Sequence, residues 1–338
     1  MAVLLTGGMG FIGSHIAVLL LTNNINVVIY DNLSNSKIEV LDKINKIANT
    51  SNINRTSLLH FIKGDMNSKT DLEQVFIDHN ITAVVHLASL KAVGESIKLP
   101  LYYYKNNING MISLLETMEK YSCNKLIFSS SATVYGSNNK APVSENSSIG
   151  SNITNPYGQT KYFQEQILQD YVKSNPKFSC TILRYFNPVG AHPSGLIGED
   201  PNGIPNNLFP YILRVASGKY KELNIFGNTY NTIDGTCIRD FIHVMDLAEG
   251  HMITLKETTP GINVYNLGSG MGTSVMELVL AFERVNNITI PYVIQDKRDG
   301  DIDILYADAS KIYNTLGWKT KYTIDDICRD GGITYLKF

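Results

Sequence analysis

The chain has 338 residues, of which 43% are hydrophobic and 18% are charged. This composition excludes a disordered, collagen-like or disulfide-scaffold protein. Lysine and arginine number 29 against 31 acidic residues, for a net charge of −2, so the basic excess typical of nucleic-acid-binding and membrane-surface proteins is missing. We therefore expect a small-molecule partner, with neither nucleic acid nor membrane bound.

Targeting and metal-binding patterns are missing from the sequence. Met1 leads into the strand-like Ala2–Leu5 without the basic region and cleavage site of a secretory leader, and the apolar runs are far shorter than the ~20 residues that cross a bilayer. The four cysteines include no CxxC pair, and the seven histidines have no metal-ligand spacing. We expect a cytoplasmic protein with reduced thiols and no bound metal.

Short β-branched runs alternate with amphipathic stretches through the first half of the chain. The predicted strands are Val3–Leu5, Asn26–Tyr30, Leu58–Lys63, Ala83–Leu87, Lys125–Ser129 and Ser179–Leu183. Such alternation predicts an α/β fold with a Rossmann-like, doubly wound parallel sheet, because each crossover helix covers one face of the sheet. Proline and glycine become frequent beyond residue 185. We predict a Rossmann domain over residues 1–184, completed by part of 235–268, and a smaller mixed α/β lobe over 185–338, with the chain crossing between the two.

The first predicted strand runs into a glycine-rich turn, Gly7-x-x-Gly10-x-x-Gly13, followed by a helical stretch. In that context Gly7 can form the tight turn, Gly10 admits a pyrophosphate to the helix N-terminus, and Gly13 allows close helix–strand packing. Asp31 ends the second strand, 24 residues after Gly7, where an acid binds ribose hydroxyls and would repel a 2′-phosphate. The pattern predicts NAD rather than NADP.

Tyr157 and Lys161 are four residues apart at the start of a predicted helix capped by Asn155, so both project from one face. A phenol titrates near ~10 and is a poor base at neutral pH, but a neighbouring ammonium and a cationic nicotinamide would stabilise the phenolate. Ser131 and Thr133 follow the fifth strand at its carboxyl end, where ligands bind in open α/β sheets. The alternatives are an ordinary surface pair on the helix and serines that only form a turn.

Together these motifs resemble the UDP-glucose 4-epimerase family of the extended short-chain dehydrogenases/reductases, and the match covers essentially the whole chain. Further agreeing blocks are Leu90–Ser96, Arg184–Gly195, Gly203–Leu208 and Arg239–Leu247. The resemblance implies a tightly bound NAD and reversible C4 epimerisation of UDP-galactose and UDP-glucose through a 4-keto intermediate, with transient hydride transfer to the cofactor. It also implies tight binding of the UDP group and weak binding of the hexose, because the keto sugar must rotate to present its opposite face to the cofactor.

Residue roles follow from the resemblance position by position. The catalytic set is Tyr157, Lys161 and Ser131. The cofactor-binding set is Gly7, Gly10, Phe11, Ile12, Gly13, Asp31, Asn32, Asn35, Ser36, Asp65, Met66, Leu87, Ala88, Lys91, Asn106, Ser129, Tyr157, Lys161 and Tyr185. The substrate-binding set is Ser131, Thr133, Tyr157, Asn187, Asn207, Leu208, Phe226, Arg239, Arg298 and Asp301. Taken singly, Asp65 could be a loop cap and Lys91 a solvated lysine.

Three alternatives stay open or are disfavoured. Leu305 occupies the position that limits the sugar pocket in the family, and its intermediate size leaves epimerisation of UDP-N-acetylhexosamines open beside the favoured UDP-hexoses. Sugar-nucleotide 4,6-dehydration needs a carboxyl pair just beyond the serine, where this chain has Ala132 and Thr133. A non-catalytic NAD-binding sensor is the alternative from another class, but it need not keep the serine, tyrosine and lysine together.

Two apolar helix faces, over Met111–Met118 and Tyr162–Tyr171, are candidates for a dimer interface. Helices of this kind pair two subunits in the family, so we expect a homodimer. The alternative is ordinary packing of these helices on the sheet.

Overall fold

The computed structural model describes residues 2–49, 54–205, 207–257, 259–298 and 300–336. The strands are β1 (Ala2–Thr6), β2 (Asn26–Asp31), β3 (Leu59–Lys63), β4 (Ile81–His86), β5 (Lys125–Ser131), β6 (Ser179–Tyr185), β7 (Asn187–Val189), β8 (Leu223–Phe226), β9 (Ile238–Arg239), β10 (Phe241–His243), β11 (Gly261–Leu267), β12 (Thr273–Ser274), β13 (Tyr292–Gln295) and β14 (Ile304–Leu305). The helices are α1 (Phe11–Thr22), α2 (Glu39–Ala48), α3 (Lys69–Asp78), α4 (Val93–Lys98), α5 (Pro100–Lys120), α6 (Pro156–Ser174), α7 (Leu208–Ala216), α8 (Val244–Thr254), α9 (Val275–Asn286), α10 (Ser310–Leu316) and α11 (Ile324–Tyr335).

These elements form two compact units. The first comprises the residues through Val134, together with Ile153–Arg184 and Ala248–Tyr265. The second comprises Tyr135–Asn152, Tyr185–Leu247 and the residues from Asn266 onward.

The first unit is built on a seven-stranded sheet with the order β11-β6-β5-β4-β1-β2-β3. β1 pairs in parallel with β2 on one side and β4 on the other, and β4 pairs in parallel with β5. The strand order therefore reverses between β1 and β4, and such a switch point is where open α/β sheets bind ligands, outside the carboxyl ends of the strands. The predicted Rossmann-like fold is confirmed.

Burial explains why the strands of this sheet read as nearly continuous apolar runs. Leu4, Val28, Val84, Phe128 and Ile182 come from five different strands and are essentially inaccessible to solvent. Helices on both faces of a parallel sheet remove both sides of each strand from water, so alternation of polar and apolar residues is lost.

The described residues of the second unit form three small sheets and a core of their own. β7 pairs with β10, β8 pairs with β13, and β9 lies between β12 and β14. Phe209 of α7 and Phe282 of α9 pack edge to face with ring centroids 5.9 Å apart, inside a cluster that α11 joins through Ile327. Helix α9 begins with a capping box in which Ser274 and Glu277 exchange hydrogen bonds.

Residues 135–152, which we placed in the first domain, belong to the second unit. Asn266 explains this grouping: its side-chain nitrogen donates to the Val143 carbonyl oxygen, and its side-chain oxygen accepts a hydrogen bond from the Tyr135 hydroxyl. Val143 also forms a β-bridge with Ala307. These contacts join partners more than 120 residues apart, which the local pattern of the sequence could not indicate.

The exposed apolar face of α5 differs from the predicted one. Met111, Leu114 and Met118 are fully buried in the core of the first unit, so the prediction that Met111–Met118 forms an exposed face is wrong. The apolar residues that α5 exposes include Leu101 and Ile112. None of the helices within the described ranges is long and apolar enough to span a membrane.

Candidate active site

The turn after β1 has the geometry that its glycines require. Gly7 has a φ of +71°, and a Cβ atom there would lie 2.8 Å from the backbone nitrogen of Ala88. Gly10 precedes α1, whose N-terminus has no side-chain cap and no acidic residue in its first turn. The first backbone N–H groups of a helix lack intrahelical partners. Those of Phe11, Ile12 and Gly13 therefore form a site suited to an anion.

Replacing Gly13 by alanine is expected to distort this turn, because the added Cβ would lie 2.6 Å from the Gly7 carbonyl oxygen and the Gly8 Cα. We expect a lower melting temperature, measured by calorimetry, and loss of most of the dinucleotide bound after incubation with NAD+, measured by nucleotide release on denaturation. Gly94→Ala is the matched control, since a Cβ added at Gly94 would have no atom within 4 Å. Equal dinucleotide content in both variants would contradict the role of Gly13.

Asp31 ends β2 and organises the loop that follows. One carboxylate oxygen accepts hydrogen bonds from the Leu33 backbone nitrogen (2.8 Å) and the Ser36 hydroxyl (3.0 Å), and the other accepts from the Met9 backbone nitrogen (3.0 Å). A carboxylate has about four acceptor positions. Three acceptor positions of Asp31 are occupied, so one remains for a ligand hydroxyl. Asn35 lies exposed on the same loop.

Asp65 follows β3. It is hydrogen-bonded to Asn32, the first residue of the loop that follows β2. The Asn32 side chain donates to Asp65 at 2.9 Å, and Asn67 donates through both its backbone and its side chain. Although burial raises the pKa of Asp65, these hydrogen bonds lower it below its ordinary value. The neighbouring Met66 is buried, and Asn106 on α5 accepts from the Asn67 side chain at 3.3 Å. The structure thus brings Asn32, Asp65, Met66 and Asn106 together.

The loop after β4 is fixed by two polar residues that the sequence analysis did not select. The Thr6 hydroxyl oxygen accepts hydrogen bonds from the Leu87 and Ala88 backbone nitrogens, at 3.2 and 3.3 Å. The Asn107 side chain exchanges hydrogen bonds with the Leu90 backbone and also donates to Thr160 on α6. Asn107 could have been found as a polar residue at helical spacing from buried Met111 and Leu114.

Lys91 lies exposed on the same loop. Its placement after β4 puts it at the carboxyl edge of the sheet, where we predicted a cofactor contact.

The candidate catalytic side chains meet at the carboxyl end of β5. Ser131 is the last residue of that strand, and its hydroxyl oxygen accepts from the Thr133 backbone (3.2 Å) and hydroxyl (3.0 Å). Asn155 caps α6 through its side chain, as predicted. This sets Tyr157 on the first turn, where its hydroxyl hydrogen-bonds Ser131. The Lys161 amino group donates to the Ser129 carbonyl oxygen at 2.8 Å.

The charge state of this group differs from the expected one. Burial raises the pKa of Tyr157 to about 12, although the hydrogen bond with Ser131 lowers it. Lys161 does not offset this shift: its nitrogen lies 6.0 Å from the Tyr157 ring centroid and is directed to Ser129. Burial also lowers the pKa of Lys161 to about 7. Lys161 alone therefore does not make the phenol acidic, and the predicted joint effect of the ammonium and a cationic nicotinamide stays a prediction.

In the second unit, four of the predicted substrate residues form one cluster. Asp301 accepts from Arg239 at 3.1 Å and from Arg298 at 3.2 Å, so one carboxylate orients both guanidinium groups. The Arg298 guanidinium carbon also lies 4.8 Å from the ring centroid of Phe226, at the end of β8. Two oriented arginines beside an aromatic ring suit a nucleoside diphosphate.

The other predicted substrate residues of this unit lie elsewhere in it. Asn187 is an exposed residue on β7, and Asn207 precedes α7, where its side chain donates to Glu199 at 3.4 Å. Leu208 is the first residue of α7. Leu305 lies on β14, in register with Arg239 on β9. Asn206, within the Gly203–Leu208 block, lies outside the described residues.

Tyr185 ends β6 and is buried. We predicted it among the cofactor-binding residues, and its position at the carboxyl end of a parallel strand is one where ligands bind in such sheets.

Known proteins resemble this chain over nearly its whole length. A family model described as GDP-mannose 4,6 dehydratase matches residues 4–331. A UDP-glucose 4-epimerase of Bacillus subtilis (strain 168) is 49% identical over 332 residues, covering 98% of this chain and 95% of that protein. One from Haemophilus influenzae is 48% identical over 332 residues, covering 98% and 96%. The crystal structure of a UDP-glucose 4-epimerase from Bifidobacterium longum in complex with NAD+ and UDP has a TM-score of 0.95 and 45% identity, covering 100% of this chain and 98% of that one.

A doubly wound sheet, a glycine turn before α1 and a serine, tyrosine and lysine beside β5 define an extended short-chain dehydrogenase/reductase. The similarity to each of the two bacterial relatives extends over 332 residues and so covers both units. The chain belongs to the UDP-glucose 4-epimerase family.

Proposed function

We propose that the chain interconverts UDP-galactose and UDP-glucose by inverting C4 of the sugar through a 4-keto intermediate, with NAD as its bound cofactor. The observation that carries this proposal is the placement of three side chains at the carboxyl end of β5: Tyr157 hydrogen-bonds Ser131, and the Lys161 amino group lies 6.0 Å from the Tyr157 ring centroid. Near 49% identity to a UDP-glucose 4-epimerase over almost the full chain supports it.

The residues of the first unit fit a dinucleotide. Gly7 and Gly13 leave no room for a Cβ atom, so the backbone stays open to a pyrophosphate at α1. Asp31 keeps an acceptor position for a ribose hydroxyl, and its charge disfavours a 2′-phosphate. Loop residues around Asp65 and Ala88 would complete the site. When bound, NAD supplies the acceptor, and then the donor, of the hydride at C4.

Tyr157 is the group that takes and returns the proton of the sugar 4-hydroxyl in this proposal. Ser131 accepts from Thr133 and so keeps its own hydroxyl proton to donate, either to the phenolate or to the sugar oxygen. A phenol with a pKa of about 12 is protonated at neutral pH. The cationic charge of oxidised nicotinamide would lower the pKa of Tyr157, because a nearby positive charge stabilises the phenolate.

Dehydration is disfavoured by the residues beside Ser131. Elimination of water after oxidation at C4 needs a carboxylic acid and a carboxylate that move protons. Ala132 and Thr133 stand there instead, and Ala132 is buried. The chain can therefore oxidise and re-reduce C4 but lacks groups for elimination at that place.

The nucleotide is held by residues of the second unit in this proposal. Arg239 and Arg298 would donate charge-assisted hydrogen bonds to diphosphate oxygens, with Asp301 orienting them, and Phe226 offers a face to the base. Asn187 and Asn207 carry both donors and acceptors for sugar or phosphate oxygens. Binding free energy placed on UDP leaves the keto sugar free to turn.

The proposed function is tested by incubating purified protein with UDP-galactose and separating nucleotide sugars by chromatography. We expect UDP-glucose without added reductant. A 4-keto-6-deoxy product would assign dehydration instead, and no conversion would favour the sensor alternative. UDP-N-acetylgalactosamine run in parallel tests the wider range that the intermediate size of Leu305 leaves open.

We further propose a homodimer formed through α5 and α6. Leu101, Tyr104, Ile108 and Ile112 recur at helical spacing on α5, and Leu101 is 81% exposed. Phe163 of α6 is 43% exposed and lies 6.1 Å from Tyr104, ring centroid to ring centroid. The two helices line an open groove with mostly apolar walls. A second copy of the same face would cover this surface by two-fold symmetry.

Leu101→Asp is expected to convert this dimer to a monomer, because a carboxylate would be buried without a partner at the interface. Sedimentation velocity at several protein concentrations measures the change. Ile233→Asp is the control, since Ile233 is an equally exposed apolar residue (89%) in the second unit. A monomeric unmodified protein, or a Leu101→Asp variant that stays dimeric, would contradict the assignment.

A further inference from the structure

Glu165 is a buried carboxylate one helical turn beyond Lys161. Its side chain is inaccessible to solvent and lies against Arg184 of β6, whose side chain is only 4% exposed. One Glu165 oxygen accepts from the Ser130 hydroxyl at 2.5 Å and from Arg184 Nε at 3.1 Å. The other accepts from Arg184 Nη2 at 2.8 Å. Both carboxylate oxygens are thus engaged, and the group is held in one orientation.

Stability alone does not account for this pair. Removing two charges from water costs several kcal/mol per ion, and well-packed apolar residues of similar volume are often equally or more stable. Phe128 on β5 and Leu168 on α6, the elements that carry Ser130 and Glu165, are fully buried. Its place on the helix that carries Tyr157 and Lys161 suggests a role in the chemistry of that helix.

Lys161 needs a negative neighbour to stay charged. Its side chain is buried, and its hydrogen-bond partner, the Ser129 carbonyl, is neutral. A neutral acceptor does not offset the cost of burying an ammonium group. Burial accordingly lowers the pKa of Lys161 to about 7, and the charge of Glu165 is what opposes that shift.

The other titratable groups around Lys161 do not supply this charge. His86 on β4 interacts with Lys161, Tyr103 on α5 interacts with Tyr157 and hydrogen-bonds Glu95, and Cys180 and Arg184 on β6 interact with Glu165. Of the carboxylates, it is Glu165 whose charge acts on Lys161. Burial keeps His86 neutral by lowering its pKa to about 3, and burial raises the pKa values of the two tyrosines and the thiol, so these also stay neutral. Arg184 carries a positive charge, which Glu165 compensates.

We propose that Glu165, oriented by Arg184 and Ser130, is a positioning residue that keeps the Lys161 amino group protonated and directed to the Ser129 carbonyl oxygen, beside Tyr157. This role rests on the proposed function only where it concerns turnover. The link between Ser129 and Ser130 is direct: adjacent residues of β5 hold the lysine through a carbonyl and the glutamate through a hydroxyl. The strand therefore fixes both charged groups at once.

The direct test is the titration of Lys161 itself. In protein labelled with ¹³C at the lysine ε carbons, the Lys161 resonance is assigned by its loss in Lys161→Arg and followed against pH. We expect Glu165→Gln to lower the midpoint by about one pH unit or more, as the loss of a nearby opposite charge does. Asp246→Asn is the matched control: Asp246 is a buried carboxylate of the second unit that accepts from the Lys321 and Tyr322 backbone nitrogens. It should leave the midpoint in place.

A double variant provides a second test in case the single variant does not fold. Glu165→Gln leaves Arg184 buried without its anion, whereas Glu165→Gln combined with Arg184→Met removes both charges and is better tolerated. The double variant should lower the Lys161 midpoint by less than Glu165→Gln does, because it also removes the positive charge of Arg184. Glu165→Asp keeps the carboxylate charge, so its Lys161 midpoint should lie close to that of the unmodified protein. A midpoint that stays unchanged in folded Glu165→Gln, or that moves no further in it than in the double variant, overturns the proposal.

Turnover gives the second readout. Activity that requires the ammonium form declines as pH rises through the pKa of Lys161, so the alkaline limb of the kcat/KM profile should move to lower pH in Glu165→Gln by the same amount as the midpoint. A uniform loss at every pH, with the limb unmoved, would assign Glu165 a merely structural role and overturn the proposal. If the unmodified protein converts no UDP-sugar while the midpoint still shifts, the proposed function fails and the electrostatic role stands.

Discussion

Tyr157→Phe is expected to lower turnover of UDP-galactose by a factor of about 10²–10⁴, the usual contribution of a positioned acid–base group. The variant removes only the hydroxyl that hydrogen-bonds Ser131 and leaves the ring on the first turn of α6. Affinity for UDP should be nearly unchanged, because the arginine cluster of the second unit is untouched. Initial rates and calorimetric titration with UDP measure the two quantities.

Tyr171→Phe is the matched control for this experiment. Tyr171 lies near the end of the same helix, and its hydroxyl accepts from Asn175 rather than from a candidate catalytic group. The Tyr171→Phe variant should convert UDP-galactose at the rate of the unmodified protein. A Tyr157→Phe variant that also does so would assign the proton transfer to another residue.

Arg239→Leu is expected to raise the KM for UDP-sugar by about 10- to 100-fold, since hydrogen bonds to a charged group contribute about 1.5–3 kcal/mol. The change in kcat should be smaller, because a contact to the nucleotide is made equally in the ground state and the transition state. Asp301 keeps Arg298 as a partner, so no carboxylate is left unpaired. Steady-state kinetics separates the two parameters.

Arg284→Leu is a suitable control for charge removal. Arg284 forms an exposed ion pair with Asp325 in the same unit, and exposed pairs contribute little. Equal KM values for the Arg239 and Arg284 variants, or a loss confined to kcat, would contradict the assignment of Arg239 to the nucleotide.

Local patterns were sufficient for six of the seven strands of the first unit's sheet and for its glycine turn, whereas β11 was expected only as part of residues 235–268. The apolar runs that predict β1 and β2 are buried on both faces, and Gly7 has the positive φ that the turn demands. The Asn155 cap and the spacing of Tyr157 and Lys161 are also local, because a helix places residues four apart on one face. These predictions needed no knowledge of contacts distant in sequence.

Contacts between distant segments were beyond the reach of those patterns. The grouping of residues 135–152 with the second unit depends on Asn266, and the burial of Met111 depends on which face of α5 meets the sheet. Glu165 was overlooked because a glutamate on a helix is usually solvated, and only its contact with Arg184, 19 residues away, reveals a buried pair.

The charge balance around Tyr157 could not be read from spacing either. Proximity of an ammonium predicts a more acidic phenol, but burial acts on both groups and opposes it: the pKa of Tyr157 rises to about 12 and that of Lys161 falls to about 7. Which effect is larger depends on how much water each group loses on folding.

The central claim is that C4 of the sugar loses a hydride and regains the same hydride on its opposite face. UDP-galactose deuterated at C4 tests it directly, with mass spectrometry and proton NMR of the UDP-glucose formed by the purified protein. We predict that the product retains deuterium at C4, without net accumulation of reduced dinucleotide. Loss of the label to solvent, or its appearance in dinucleotide released to solution, would contradict the account.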